Sequence, residues 1–195
     1  TIFKQEAVTQ MSVTPSLLYF ILTLGSKEDF QSLRHVVVGG EKCSEAVFQR
    51  YKDYFDHAVL ANEYGMAENC IATTAQPNLH RQDLDNIGWP IDNTRVYLLN
   101  EKQELVQLAE MGEIYVSGVG LADSYIDNLV ESEKRFVKLS HISEDILYRT
   151  GDFAVRLADG SYRYMTRMDR QVKINGCRVE LDDIQKALQD LPMID

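Results

Sequence analysis

At 195 residues with 45% apolar side chains, the chain is long enough to bury a core and too apolar to be a disordered tail. Its 30 acidic against 20 basic residues give a formal charge of −10, and no basic patch offsets it, which argues against a nucleic-acid partner. Cys43, Cys70 and Cys177 are far apart with no CxxC pair; they read as reduced thiols of a cytoplasmic protein, small core residues rather than disulfides or a zinc site. The apolar run 17–22 is too short to span a bilayer, so no membrane partner is expected. Thr1-Ile2-Phe3-Lys4 has neither a signal-peptide pattern nor an initiator Met, and the chain is expected to begin inside a longer protein.

Taken in chain order, residues 7–13 have an extended pattern, Thr14-Pro15 is a cap followed by a first-turn proline, and residues 16–24 carry an apolar helical face that Gly25 can end. Val36-Val37-Val38 is an apolar strand running into Gly39-Gly40. Ser44 then caps a helix whose apolar face is Val47, Tyr51, Tyr54 and Phe55. Residues 57–61 read as a third strand, which sets Asn62-Glu63-Tyr64-Gly65 just beyond its carboxyl end, where open parallel sheets bind ligands. From about Ile87 the texture changes to short β segments at 94–99, 112–117 and 153–157, the last joined through Asp159-Gly160 to 162–166. A second hairpin, 171–174 and 177–180 around Asn175-Gly176, precedes a helix with Leu181, Ile184, Leu188 and Leu191 on one face. There is no internal repeat, low-complexity tract or GxxxxGK phosphate loop.

Each candidate for chemistry has an ordinary explanation by itself. Tyr64-Gly65 can be an aromatic lid on a turn, Thr150-Gly151-Asp152 a capped turn, and Arg167 with Asp169 a surface ion pair. Together they form a set. An adenine ring wants an aromatic face and an amide, a ribose wants a carboxylate for its two hydroxyls, and a triphosphate brings magnesium, which wants carboxylate oxygen. Tyr64, Asn62, Asp152 and Glu68 are those four groups.

Six blocks in this order carry a resemblance: VVVGGE (36–41), NEYGMAEN (62–69), IGWPIDNTRVYLLN (87–100), GEIYVSGVGLADSYID (112–127), YRTGDF (148–153) and TRMDRQVKINGCRVELDDIQ (166–185). The chain resembles the adenylation domains of nonribosomal peptide synthetases, members of the adenylate-forming superfamily that also holds acyl-CoA synthetases and firefly luciferase. The resemblance implies an α/β fold, the C-terminal part of the large adenylate-forming domain. It would comprise a partial α/β subdomain over 1–86, a β-rich, barrel-like unit over 87–168, and a hinge with the start of a small α+β C-terminal domain over 169–195.

The resemblance further implies that Asn62 and Tyr64 hold adenine, that Tyr164 closes against it, and that Asp152 with Arg167 holds the ribose. Gly40, Glu41, Glu63, Gly65 and Ala67 complete the nucleotide site, Glu68 positions Mg2+ at the phosphates of ATP, Lys173 joins Glu68, Asp152 and Arg167 among the catalytic positions, and Asp169 is the hinge. Ser12, Val37, Gly39, Glu63, Ile71 and Ala72 are implied to wall the acyl pocket, where Glu63 either meets a substrate amine or faces solvent. The implied reaction activates a carboxylic or amino acid as acyl-AMP and passes it to the phosphopantetheine thiol of a carrier-protein domain within a multidomain synthetase. QVKI-NG-CRVEL favours this over an acyl- or aryl-CoA ligase; a degenerate, non-catalytic interaction module is the third alternative.

Several positions depart from the family pattern. Met66-Ala67 stands for Pro-Thr, removing a hydroxyl near the α-phosphate, Asp123-Ser124 for Arg-Gly, Thr166 for Gly, and Asn175 for Arg. The family's loop for the β- and γ-phosphates would fall before Thr1 and its adenylation lysine after Asp195, so the chain is expected to be a middle piece of an adenylation enzyme, inactive alone.

Overall fold

The computed structural model of the chain describes residues 1–168, 171–174 and 177–189. A one-turn helix α1 (Ile2–Gln5) leads into strand β1 (Gln10–Val13), helix α2 (Pro15–Leu24), strand β2 (His35–Gly39), helix α3 (Glu45–Tyr54) and strand β3 (Val59–Tyr64). Both long helices start where the sequence supplies a cap: Thr14 Oγ1 accepts from the amide of Leu17 and Ser44 Oγ from that of Val47. The three strands pair in parallel, with Met11 beside Val36 and Val36 beside Leu60. Their helix-facing side chains join Leu18, Leu22, Val47, Phe48, Tyr51 and Phe55 in one core, each contributing roughly 1.5–3 kcal/mol when fully buried. This face contains the apolar positions anticipated for the second helix. Cys43 is buried in the same core, where desolvation pushes its thiol up to about 11, and neither it nor Cys70 forms a disulfide.

β3 runs three residues beyond the expected 57–61 segment, so Asn62, Glu63 and Tyr64 lie inside the strand instead of after it. The cause is non-local. Strand β4 (Thr74–Gln76) pairs antiparallel with them, setting Asn62 opposite Gln76 and Tyr64 opposite Thr74, and so supplies hydrogen-bond partners that no local pattern reveals.

The remaining strands are β5 (Asn86–Pro90), β6 (Thr94–Leu99), β7 (Met111–Gly118), β8 (Phe136–Lys138, after the short helix α4, Leu129–Arg135), β9 (Ile146–Arg156) and β10 (Tyr162–Arg167). All ten share one sheet, ordered β1-β2-β3-β4-β5-β10-β9-β7-β6, with β8 on β9. β5 therefore joins the parallel layer to the antiparallel meander, pairing with β4 on one side and β10 on the other. β9 is longer than the expected 153–157 segment and includes Thr150-Gly151-Asp152, which form a strand irregularity and not a turn. Strands β11 (Gln171–Ile174) and β12 (Cys177–Glu180) make a separate two-stranded sheet, followed by helix α5 (Leu181–Gln189). Asp169, Asn175 and Leu191 lie outside the described residues. Among the described residues no helix is long and apolar enough to cross a membrane.

The junction strand depends on Gly88, which has φ +76° and whose place a Cβ would occupy 1.8 Å from the carbonyl oxygen of Ala75. Gly88→Ala is expected to cost roughly 3 kcal/mol, a fall in Tm of about 6–12 °C, measurable by thermal unfolding.

Candidate active site

Two adjoining cavities open where the carboxyl ends of β2 and β3 meet β9 and β10. The first, of about 220 Å3, is lined by Gly40, Glu41, Lys42, residues 62–65, Leu84, Asp85, Ile87, Asp152, Tyr164, Arg167 and Gln171. The second, of about 470 Å3, shares Gly40, Glu63, Gly65, Asp152, Arg167 and Gln171 and adds Ser12, Val13, Thr14, Gly39, Met66, Ala67, Glu68, Ile71, Tyr148 and Thr150.

Asp152 is the focus of the first cavity, and an irregularity in β9 aims it there. Glu113 pairs with Phe153 but Tyr115 pairs with Arg149, so residues 150–152 bulge out of the β7–β9 ladder. Side chains replace the lost ladder bonds. Thr150 Oγ1 donates to the carbonyl of Ile114 at 2.8 Å and accepts from the amide of Asp152 at 3.0 Å, while the Glu113 carboxylate accepts from the amide of Gly151 at 3.1 Å. Glu113 is itself held by two contacts from Arg149 Nε at 2.9 and 3.0 Å. Gly151 takes φ +80° at the centre of the bulge, a conformation that disfavours any side chain.

Asp152 is only 5% exposed, so its charge has to be compensated by the protein. Tyr64 donates to Oδ2 at 2.7 Å, and Tyr164 and Arg167 donate to Oδ1 at 3.2 and 3.1 Å. Arg167 thus pairs with the buried Asp152. Burial, then the adjacent Asp152 charge, pushes the Tyr64 hydroxyl well above its ordinary range, so it stays a neutral donor. The Tyr64 and Tyr164 rings lie 6.2 Å apart at 45°. Asn62 donates its amide nitrogen to the carbonyl of Asn86 in β5 at 3.0 Å, which leaves its carbonyl oxygen as the atom to receive an exocyclic amine. Glu41 lines the same cavity while accepting from both the amide and the hydroxyl of Ser16 at 3.1 Å, so it also closes the start of α2.

Alternation along β3 divides the cavities. Asn62 and Tyr64 share one face and line only the first, whereas Glu63 points the other way and lines both. Of the six positions implied for an acyl pocket, Ser12, Gly39, Glu63 and Ile71 line the second cavity; Val37, the register partner of Ser12, and Ala72 do not. Cys70 and Ile71 have φ of +50° and +79°, the latter strained for a β-branched side chain. Gly65 permits this tight turn, because a Cβ there would lie 1.9 Å from the carbonyl oxygen of Ile71.

Ala67 and Glu68 belong to a single helical turn, Ala67–Asn69, on the wall of the second cavity. Glu68 is buried, and its Oε1 accepts from the hydroxyls of Tyr125 at 2.5 Å and Tyr148 at 2.8 Å. Among the described residues no group of three or more His, Cys, Asp or Glu forms a metal cage. A lone hard carboxylate fits Mg2+ bound mainly through substrate phosphates and water, which is how that ion is usually held. Lys173 lies in β11 opposite Arg178, and its side chain is outside what is described. Sequence reasoning gave no role to Glu113, Thr150, Tyr125, Tyr148 or Gln171. All five sat inside the quoted blocks, but for the first four only the bulge and the tyrosine contacts bring them to the site.

Residues 1–126 match the model of the AMP-binding enzyme family, and the chain belongs to that family. It is 36% identical over 186 residues to a plipastatin synthase of Bacillus subtilis (strain 168), covering 95% of this chain and 5% of that protein. It is 33% identical over 193 residues to gramicidin S synthase 2 of Brevibacillus brevis, covering 99% and 4% respectively. The structure matches that of holo-PA1221, an NRPS protein containing adenylation and PCP domains bound to a vinylsulfonamide inhibitor, with TM-score 0.88 and 28% identity over 98% of this chain and 34% of that one. The chain thus spans a small fraction of the synthases and about a third of PA1221.

Asp152→Asn is expected to cost about 1.5–3 kcal/mol and Tyr64→Phe about 1 kcal/mol, with the double variant costing less than the sum because both delete one contact. Denaturant midpoints of the three variants measure this.

Proposed function

We propose that the chain is the nucleoside-holding portion of an ATP-dependent acid ligase that makes an acyl-adenylate and passes the acyl group to a carrier-protein thiol. The observation that carries the reading is the desolvated Asp152 carboxylate facing a cavity walled by the Asn62 amide and the Tyr64 and Tyr164 rings. A carboxylate has about four acceptor sites, and three are used by Tyr64, Tyr164 and Arg167. One ribose hydroxyl adds to Asp152, and the second displaces Tyr164, whose 3.2 Å contact is the longest of the three. Tyr164 is then released to lie against the adenine, whose amine meets the Asn62 carbonyl.

With the nucleoside so placed, the α-phosphate faces the second cavity, where the acid lies. An oxygen of the acid's carboxylate forms a bond to the α-phosphorus as the bond to the bridging oxygen breaks and pyrophosphate leaves. The carrier's phosphopantetheine thiol, losing its proton, then attacks the acyl carbon and AMP departs. Glu68 is the carboxylate through which Mg2+ would be held, and the ion when bound neutralises charge on the departing pyrophosphate. Glu63, on the second-cavity side of β3, is placed to meet an amine of the substrate, while Ala67 brings no hydroxyl to the phosphates. Alignment and charge neutralisation, and not covalent chemistry by the protein, carry such a reaction.

The thiol acceptor and the synthetase context are supported by the peptide synthases the chain is similar to and by the PCP domain of PA1221. We take residues 1–86, 87–168 and 169–195 as subdomains with a pivot at Asp169, supported by the separation of β11 and β12 from the large sheet, and place the protein in the cytoplasm.

The test is ATP–pyrophosphate exchange by the full-length protein that carries this chain, with a panel of amino, hydroxy, keto and aryl acids. Exchange with one acid class, and at least a tenfold loss of AMP affinity by calorimetry in Asp152→Asn, is the expected result. No exchange with any acid would overturn the reading. For the 195-residue chain alone, AMP affinity no tighter than about millimolar is expected, because stacking and a few hydrogen bonds roughly balance the ordering cost.

A further inference from the structure

Glu68 is tied at two points to a segment that otherwise has little hold on the protein. From residue 122 to 130 every side chain is exposed except Tyr125, which is half-buried. The segment's backbone is anchored by the amide of Ala122, which donates to the Glu68 carbonyl at 2.8 Å, and its only inward side chain donates to the Glu68 carboxylate at 2.5 Å. Tyr148, from β9, donates to the same oxygen at 2.8 Å. The two phenol oxygens are 3.0 Å apart, so that both hydroxyls converge on one oxygen of Glu68 while lying within hydrogen-bond distance of each other. A shared acceptor oxygen holds them so close. The ring of Phe136 packs against both, at centroid distances of 5.5 Å from Tyr125 and 5.1 Å from Tyr148, and fixes the wedge from behind. Ser132 Oγ accepts from the amide of Tyr125 at 2.9 Å and sets its backbone.

We propose that Tyr125 and Tyr148 are positioning residues that fix the Glu68 carboxylate for the Mg2+–polyphosphate of ATP, acting through their shared hydrogen bonds to Oε1. The inference rests on the ligase reading and on Glu68 as the magnesium carboxylate. Two phenols on one oxygen determine the rotamer of a three-torsion side chain, which alone would sample several orientations at an entropy cost to metal binding. Neither tyrosine lines the nucleoside cavity, so adenosine recognition does not depend on them.

The experiment uses the full-length protein carrying this chain, with Tyr125→Phe, Tyr148→Phe, the double variant and Glu68→Gln as reference. Phenylalanine keeps the ring packing on Phe136 and deletes only the hydroxyls. Mn2+ serves as the probe, its binding in the presence of ATP followed by electron paramagnetic resonance; AMP affinity is measured separately by calorimetry and folding by thermal unfolding. The expected result is Mn2+–ATP binding weakened about tenfold in the double variant and less in each single one. AMP affinity should stay within about twofold, and half-saturating Mg2+ for pyrophosphate exchange should rise in parallel, with KM for the acid unmoved. A purely structural role would lower Tm and AMP affinity together without a selective effect on the metal, and that outcome overturns the proposal. So does wild-type Mn2+ affinity in the double variant when Glu68→Gln is weakened. If Glu68→Gln also binds normally, the metal role of Glu68 falls and the positioning role with it; if the wild type binds no ATP, it is the ligase reading that fails. Should Tyr148→Phe not fold, Tyr125→Phe, at a half-buried position, decides the question alone.

Discussion

A single desolvated carboxylate organises the meeting point of this protein. Asp152 sits in β9, takes one hydrogen bond from β3 through Tyr64 and two from β10 through Tyr164 and Arg167, and so ties the parallel layer to the antiparallel meander. An ionised carboxylate buried without such partners is too costly to keep, and the same three donors are too costly to strand. The strands on either side of the cavity are therefore held at the separation this cluster requires, and the cavity exists because the separation is fixed.

The protein handles its buried carboxylates in different ways. Asp152 has a formal counter-ion in Arg167 and sits at the wall of a cavity, where its acceptor capacity can be exchanged with a ligand. Glu113 has Arg149 and is spent on the backbone, where it takes the amide of Gly151 that the bulge leaves without a ladder partner. Glu68 has two phenols among its partners, donors that add no positive charge of their own.

The two cavities follow from the period-two geometry of β3. Three consecutive residues, Asn62, Glu63 and Tyr64, supply an amide, a carboxylate and a ring, and pleating sends the middle one to the opposite face. One strand end thus presents an amide and a ring to the first cavity, while the carboxylate between them lines both. Gly65 closes the arrangement by admitting the strained Cys70-Ile71 turn, which completes the second cavity.

Much of this was present in the sequence. Caps at Thr14 and Ser44, the apolar strand 36–38, the Asp159-Gly160 hairpin and the ordered blocks containing Asn62, Tyr64, Glu68, Asp152 and Arg167 are local or linear signals, and each depends on residues close in the chain. What tertiary structure alone decided are the partnerships across long separations. β3 extends through Tyr64 because β4 is there to bond it, Arg167 turns to Asp152, and the 150–152 stretch is held as a bulge because the Glu113 carboxylate and Thr150 Oγ1 accept the amides of Gly151 and Asp152. Two tyrosines 23 residues apart converge on one oxygen of Glu68 for the same reason. A sequence pattern reports what each residue prefers near its own backbone, whereas the partner of a buried charge is chosen by whichever donor the folded sheet brings within about 3 Å of it.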